Sequence, residues 1–398
     1  MQLYLQFGFG MMDHTSKLLE AWGGGGVILS PRDLEETQLR RVAAQASKLG
    51  AEPLLDPQCY MRDADHERLT KHGYFQTYQS SSTANLLSGS GARDVIARLR
   101  DLSRSIGATR HILPGLLARS VDEAWFLIHE QFIDAATQAF GGEQLIATIA
   151  LSDEAVRNEG QVEAVIERVA EWPVAGFYVV GEAPSAYLVE DPVWLANMLI
   201  LASGLKLLRK SVIVGYANHQ MLCLAACNID LIAAGTWLNV RAFPTAKFYA
   251  SEEDEVSRRT TWYYCPQVLS EYKLLFLDIA LRQGILDQMR PDRALGSIYA
   301  DPLFAGAQPS TVGWGEQGAF RHYLTCLRAQ CQRATAPSFA DAMTMQRQLL
   351  DLAETRLRAL RSRGVFGNDR DFSQVLDTNR SALIVFDQAR GARLRREW

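Results

Sequence analysis

No run of the sequence approaches the roughly 20 consecutive apolar residues that a membrane helix requires, so no membrane partner is expected. The opening residues, Met1-Gln2-Leu3-Tyr4-Leu5, lack a basic segment followed by an apolar stretch and cleavage site; they read as a strand without a leader. Cysteine is sparse. Its six residues, Cys59, Cys223, Cys227, Cys265, Cys326 and Cys331, form no C-x-x-C pair, which fits a cytoplasmic protein with free thiols better than a disulfide scaffold. Cys223 and Cys227 can share a helical face, but two further zinc ligands are missing nearby. With seven histidines and no H-x-H on the first strand, a metal-dependent hydrolase is poorly supported. There is no G-x-S-x-G elbow and no lysine at a strand end for Schiff-base chemistry; Lys210 precedes a strand. The glycine run Gly23 to Gly26 precedes a strand, the wrong side for a phosphate cradle, and reads as a loop. No metal and no cofactor are expected. A net charge of −4 gives no global pull toward nucleic acid, so such a site would have to be a local basic patch.

What is present is the composition of a globular protein with a substantial core, 48% hydrophobic and 22% charged. Short apolar runs of strand length recur at Leu3–Phe9, Val27–Leu29, Pro53–Leu55, Ile112–Leu117, Leu145–Ala150, Gly176–Val180, Val212–Gly215 and Asp230–Ala234. Most are apolar throughout rather than alternating, the pattern of parallel strands buried on both faces. Helix-start signals stand between them: Ser30-Pro31-Arg32-Asp33, Ser120-Val121-Asp122-Glu123, Ser152-Asp153-Glu154 and Asp191-Pro192. A helix from about Asp33 to Leu49 carries Leu39, Val42, Ala43, Ala46 and Leu49 on one stripe and ends at Gly50.

About eight such units closing near residue 242 predict an α/β fold, a (β/α)8 TIM barrel with a helical C-terminal extension. A doubly wound open sheet is the rival. The barrel core spans 1–245, with an insertion at about 60–94 that reads as a lid or as disorder; 246–398 is the helical completion and extension. There the acidic run Glu252-Glu253-Asp254-Glu255 precedes a helix from about Pro266 to Met289. Helices near 316–334, 338–363 and 372–389 follow, and a basic tail from Arg390 to Arg396 reads as solvated terminal charge.

Barrel chemistry sits at the C-terminal ends of strands. The first strand delivers Gln6, with Asp13 and His14 beyond it. The third ends in Asp56-Pro57-Gln58-Cys59-Tyr60, a carboxylate, an amide and a phenol where an apolar strand meets a loop. That set suits general acid/base work or a polar heterocycle; a turn-initiating Asp-Pro is the plain alternative. Glu182 ends the sixth strand. The seventh gives the densest polar cluster, Tyr216-Ala217-Asn218-His219-Gln220, a costly composition unless it binds something or caps a helix; His219 is a general base or a hydrogen-bonded cap. After the eighth come Trp237, Asn239 and Arg241, readable as a stacking platform and an anion clamp.

The segment Ile213-Val214-Gly215-Tyr216-Ala217-Asn218-His219-Gln220, then Asn228-Ile229-Asp230-Leu231-Ile232 and Asn239-Val240-Arg241, resembles the last two barrel units of tRNA-guanine transglycosylases. Leu55-Asp56-Pro57-Gln58 is loosely similar to that family's D-S-G-G-F-Q motif, and Gly176 to Glu182 to its base-recognition strand. The likeness covers under a fifth of the chain. It implies exchange or recognition of guanine or a 7-deazaguanine base, in a nucleic-acid-modification or antiviral-defence setting. Asp56 would face the base and the Glu182 region would form a pocket wall. Two departures stand against it. Ala233 occupies the place of the family's nucleophilic aspartate, and the zinc-binding cysteine cluster expected after the eighth strand is missing.

The expectation is therefore a base-exchange glycosyltransferase or base-recognising barrel with Asp56, Asp230 and His219 as catalytic candidates. Gln6, Gln58, Tyr60, Glu182, Tyr216, Asn218, Gln220, Trp237, Asn239 and Arg241 are its substrate-binding candidates. Its partners would be a guanine or 7-deazaguanine-type base, with tRNA, DNA or a protein beyond it; a homo-oligomer is compatible. The alternatives are a catalytically inactive binding subunit and an unrelated barrel lyase or hydrolase using Asp56 with His219.

Overall fold

The computed structural model describes residues 1–183, 187–250, 260–295 and 297–398. The first half alternates strand and helix: β1 (Gln2–Gln6), α1 (Met11–Trp22), β2 (Gly25–Leu29), α2 (Glu36–Lys48) and β3 (Ala51–Leu55). The insertion then supplies α3 (Gly73–Ser80) and α4 (Thr83–Leu87) before α5 (Ser90–Ser105) returns the chain to β4 (Arg110–Ile112) and β5 (Leu117–Ala118). These two short strands both pair with β6 (Gln144–Leu151) and are halves of one stave. Around β6 lie α6 (Glu123–Phe140), α7 (Asp153–Arg157) and α8 (Glu159–Val169), followed by β7 (Gly176–Gly181), α9 (Pro192–Leu207), β8 (Ser211–Val214) and β9 (Leu231–Ala234).

Every neighbouring pair in the order β3-β2-β1-β9-β8-β7-β6-β4 is parallel. The last strand β9 returns beside the first, Gln2 to Leu5 against Leu231 to Ala234. This is a nearly closed eight-stave (β/α)8 barrel, and the eight apolar runs are its staves. The remaining seam, between β3 and β4, is bridged by the Arg110–Glu52 ion pair, with the Tyr4 hydroxyl donating to Glu52 at 2.8 Å. Gly26 makes room for that tyrosine: a Cβ there would fall 2.1 Å from the Tyr4 ring.

Several local signals behave as expected. Ser152 caps α7 through the Ala155 amide, and Asp191 caps α9 through the Val193 and Trp194 amides. Ser30 does not. α2 starts only at Glu36 behind a Glu35 capping box, and Ser30 instead donates to Asp33 at 2.7 Å. The insertion is neither disordered nor detached: Tyr74, Phe75 and Tyr78 of α3 are buried, and the Tyr74 hydroxyl donates to the Pro57 carbonyl at 2.8 Å.

The extension departs most from expectation. In place of one helix from Pro266 to Met289 there is an antiparallel hairpin, β10 (Trp262–Cys265) and β11 (Ser270–Lys273), and then the short α10 (Leu274–Arg282). Tyr263, Tyr264 and Tyr272 are fully buried by the hairpin, and Leu269 turns it at φ 52°; burial of three aromatics outweighs helix propensity here. α11 (Glu316–Arg333), α12 (Phe339–Arg361) and α13 (Leu376–Glu397) close the chain. The basic tail belongs to α13, where Arg390 pairs with Glu163 and Arg395 with Asp387. The acidic run 252–255 lies outside the described residues. All six cysteines are buried and free. Among the described residues no helix is long and apolar enough to cross a membrane.

Candidate active site at the barrel mouth

β3 ends by burying a carboxylate. Asp56 is 1% exposed, at the C-terminal end of the staves. It accepts from the Tyr60 hydroxyl at 2.9 Å on both oxygens, from Tyr216 at 2.7 Å and from the Gln58 amide at 3.0 Å; Tyr178 stands 3.3 Å away. These phenols come from the β3 loop, the β8 loop and β7, so closure of the barrel is what assembles the cage. Gly215 is needed for it, because a Cβ there would lie 2.3 Å from the Tyr178 oxygen. Burial pushes the Asp56 carboxyl above the usual carboxylate range, while the bonds from Tyr216, Tyr60 and Gln58 pull the other way. The result is a carboxyl that can hold a proton inside the barrel and is surrounded by hydroxyls able to pass it on.

Gln6 and Gln58 complete the cage. Gln6 accepts from Tyr178 at 3.2 Å, and its buried amide nitrogen has no partner. Gln58, held at φ 55°, donates to Tyr216 at 3.1 Å and Ser30 at 2.9 Å and accepts from the Arg32 amide at 2.9 Å.

Sequence reasoning missed Lys247. It sits in a single 3-10 turn, Thr245–Phe248, past β9, where neither strand nor helix periodicity marks it. Its ammonium lies 3.5 Å from the Tyr216 ring centre, between Phe248 and Phe243, and donates to the Asn239 carbonyl at 3.0 Å. Burial draws it well below the usual lysine range. The turn forms a strap over the cage, tied to the β3 loop. His66 N donates to Phe248 O at 3.1 Å, Ala250 N to Asp65 at 2.6 Å and the Tyr249 hydroxyl to Asp63 at 3.0 Å. Beside the strap, Met61, Arg119, Ser152, Glu182, Thr245 and Tyr249 line an open cleft. Glu182 accepts there from Thr245 at 2.8 Å. Of the predicted residues, Gln6, Asp56, Gln58, Tyr60, Tyr216 and Glu182 thus share the mouth.

The others do not. Asp230 immediately precedes β9, at the opposite end of the barrel, where it pairs with Lys206 at 2.7 Å and accepts from the Val212 amide at 2.8 Å. It cannot serve the mouth. Ala233 pairs with Tyr4 within the wall, so β9 places no acid where the resemblance requires one. His219 is 0% exposed, enclosed by Tyr187, Tyr264, Tyr323 and Phe372, so a ligand at the mouth does not reach it. Asn218 caps the turn behind it and reaches the carbonyls of Tyr187 and Arg241, both at 3.0 Å; Gln220 grips the Val189 backbone in both directions. Apart from Tyr216, the dense polar cluster is therefore the joint between barrel and extension. Arg241 is part of the same joint: it pairs with the buried Glu271 at 3.1 Å and stacks 3.5 Å above Tyr323. Trp237 packs edge-on against Phe320, and Asn239 contributes its carbonyl to Lys247. Both flank the mouth from the β9 side.

Burial lowers the His219 pKa to about 4. The unfolded chain then binds a proton that the folded one refuses, so stability is present above the ordinary value near 6.5 and is lost as pH falls toward 4. His219→Phe is expected to remove on the order of 1–2 kcal/mol of this acid sensitivity, read as a flatter dependence of urea midpoint on pH between 6.5 and 4.5. An unchanged slope would mean the histidine is charged or reachable.

Among the described residues no group of three or more His, Cys, Asp or Glu side chains is placed to hold a metal. No family model and no curated protein matches the chain. Among solved structures it is similar to the 3-dehydroquinate dehydratase from Aquifex aeolicus VF5, at 10% identity and TM-score 0.36, covering 62% of this chain and 95% of that one. It is also similar to Xylanase10C from Cellvibrio japonicus, at 10% identity and TM-score 0.39, covering 60% and 59%. A third is the Thermobacillus composti GH10 xylanase, at 11% identity and TM-score 0.37, covering 61% and 87%. Likenesses this distant carry nothing about chemistry; the barrel rests on the strand order and register of the chain itself.

Proposed function

We propose that the chain is a barrel enzyme of the lyase or hydrolase kind, acting on a small polar substrate at the mouth with Asp56 as its general acid/base. The observation that carries this reading is the Asp56 cage, a buried carboxyl bonded to phenols from separate staves. A core that needed only packing would be more cheaply filled by apolar side chains. Tyr60 and Tyr216 relay or stabilise the proton, Gln6 and Gln58 orient the cage, and Glu182 and Arg119 in the open cleft meet the polar ends of the substrate. His219, paired with Asp56 on the sequence alone, has no part in this.

The test is a thermal-shift screen of sugars, hydroxy acids, oxo acids and purine bases, with NMR of each stabilising compound for turnover. At least one compound should be converted by the wild type and not by Asp56→Asn. Stabilisers that bind both proteins equally and are never converted would overturn the reading.

A second reading is a transglycosylase-like barrel that binds a guanine or 7-deazaguanine base, free or within tRNA or DNA, without base exchange. The motif order around Asp56 and β9 favours it, and the position of Asp230 together with Ala233 argues against a covalent aspartyl step. Tight 7-deazaguanine binding with no guanine exchange into tRNA or DNA, unaffected by Asp230→Ala and abolished by Asp56→Ala, would favour it over the first.

A further inference from the structure

We infer that Lys247 is a nucleophilic amine and that the substrate of the mouth is an aldehyde or ketone held on it as a Schiff base. The inference rests on reading the mouth as the reacting centre and adds the substrate class. A lysine kept inside a protein for structural reasons ordinarily meets a carboxylate, because an unpaired buried ammonium is costly. Lys247 is 9% exposed, and among the described residues no carboxylate is within ion-pair distance of it. The two acids nearby are already engaged. Asp33 is taken by Arg32 at 2.9 Å and Ser30 at 2.7 Å, and Asp56 by its phenols. The amine is left with one carbonyl acceptor, the face of Tyr216, and the apolar edges of Phe243 and Phe248. Burial favours its neutral, nucleophilic form.

Tyr216 joins the amine to the acid, its ring under the Lys247 nitrogen and its hydroxyl on Asp56 at 2.7 Å. The step balances without a further reagent. The nitrogen lone pair attacks the carbonyl carbon, the C=O π electrons move to oxygen, and a proton passes from nitrogen to that oxygen to give a carbinolamine. A second proton, from the Asp56 carboxyl by way of a phenol, lets the C–O bond break and releases water, leaving the protonated imine; the Asp56 carboxylate then accepts the next proton removed from the substrate. Hydrolysis reverses the sequence. Thr245 and Tyr249, on either side of Lys247, line the open cleft, so loosening the strap bonds to Asp63 and Asp65 brings the amine to the entrance.

The test is reductive trapping of the full chain with cyanoborohydride and, separately, pyruvate, glyoxylate and glyceraldehyde, read by intact mass and peptide mapping. With at least one of these carbonyls, a single adduct is expected at Lys247, formed at least tenfold faster than at any exposed lysine near pH 7. It should be absent in Lys247→Met and accelerated in Asp65→Ala, which removes a strap bond without touching the cage. Labelling confined to exposed lysines in both the wild type and Asp65→Ala would overturn the inference. If Lys247 stays unlabelled while a ligand still binds and turns over in an Asp56-dependent way, the amine proposal fails alone. If no Asp56-dependent ligand exists either, the reading of the mouth fails with it.

Discussion

Replacing Glu271 by alanine is expected to destabilise the protein by about 3–5 kcal/mol, the cost of breaking a buried ion pair by removing one partner. Glu271 is 3% exposed. It faces Arg241 at 3.1 Å and Arg370 at 2.9 Å and also accepts from the Tyr187 hydroxyl. Without it two guanidinium groups remain at the joint of barrel and extension, one of them almost wholly enclosed. Burial alone would raise the Glu271 carboxyl, but Arg241 and Arg370 hold it at about 2. Its stabilisation is therefore complete above the ordinary glutamate value and is lost as pH falls from there toward 2. Urea denaturation should show the loss at pH 7 and a shallower acid limb in the variant. Glu163→Gln, which breaks the more open pair with Arg390, should cost no more than about 1 kcal/mol. Equal effects of the two changes would show that the joint is not held by its charges.

Asp56→Asn is expected to leave the fold intact and to lower turnover of any substrate by at least about 100-fold, the range for loss of a positioned acid/base. The amide keeps the shape of the carboxyl, and the surrounding phenols can accept as well as donate. Because burial raises the carboxyl's pKa in the folded chain, holding it ionised opposes folding as pH rises. The variant should therefore be at least as stable as the wild type at neutral and higher pH. A residue that serves only packing would show the reverse, lower stability with turnover unchanged. Asp56→Ala is less informative, since it strips three hydroxyls of their acceptor.

The staves were legible because each is buried on both faces and reads as an unbroken apolar run between helix caps, from Leu3 to Ala234. Asp56 was legible for the same reason in reverse, as a carboxylate ending such a run. What misled was polarity whose satisfaction lies far along the chain. Asn218, His219 and Gln220 look like a site because their partners, Val189, Tyr187, Tyr264 and Tyr323, are set by tertiary packing that no local pattern reveals. Asp230 entered only through the resemblance; it stands just before its stave begins, one strand length from the reactive end. Lys247 was invisible because a single 3-10 turn has no periodicity, and its burial depends on Phe243, Phe248 and Tyr216 closing round it. The hairpin of β10 and β11 was lost to helix propensity for a related reason, since Tyr263 and Tyr264 are buried against α11 of the extension.

Asp56, the proposed reacting acid, lies at one end of the barrel, and Asp230, paired with Lys206, lies at the other. The direct measurement is turnover of a screened substrate by Asp56→Asn and Asp230→Asn, side by side with their urea midpoints. Loss of turnover with an unchanged or higher midpoint in Asp56→Asn, and retained turnover in Asp230→Asn, is the predicted result. Retained turnover in Asp56→Asn, with loss in a folded Asp230→Asn, would contradict it.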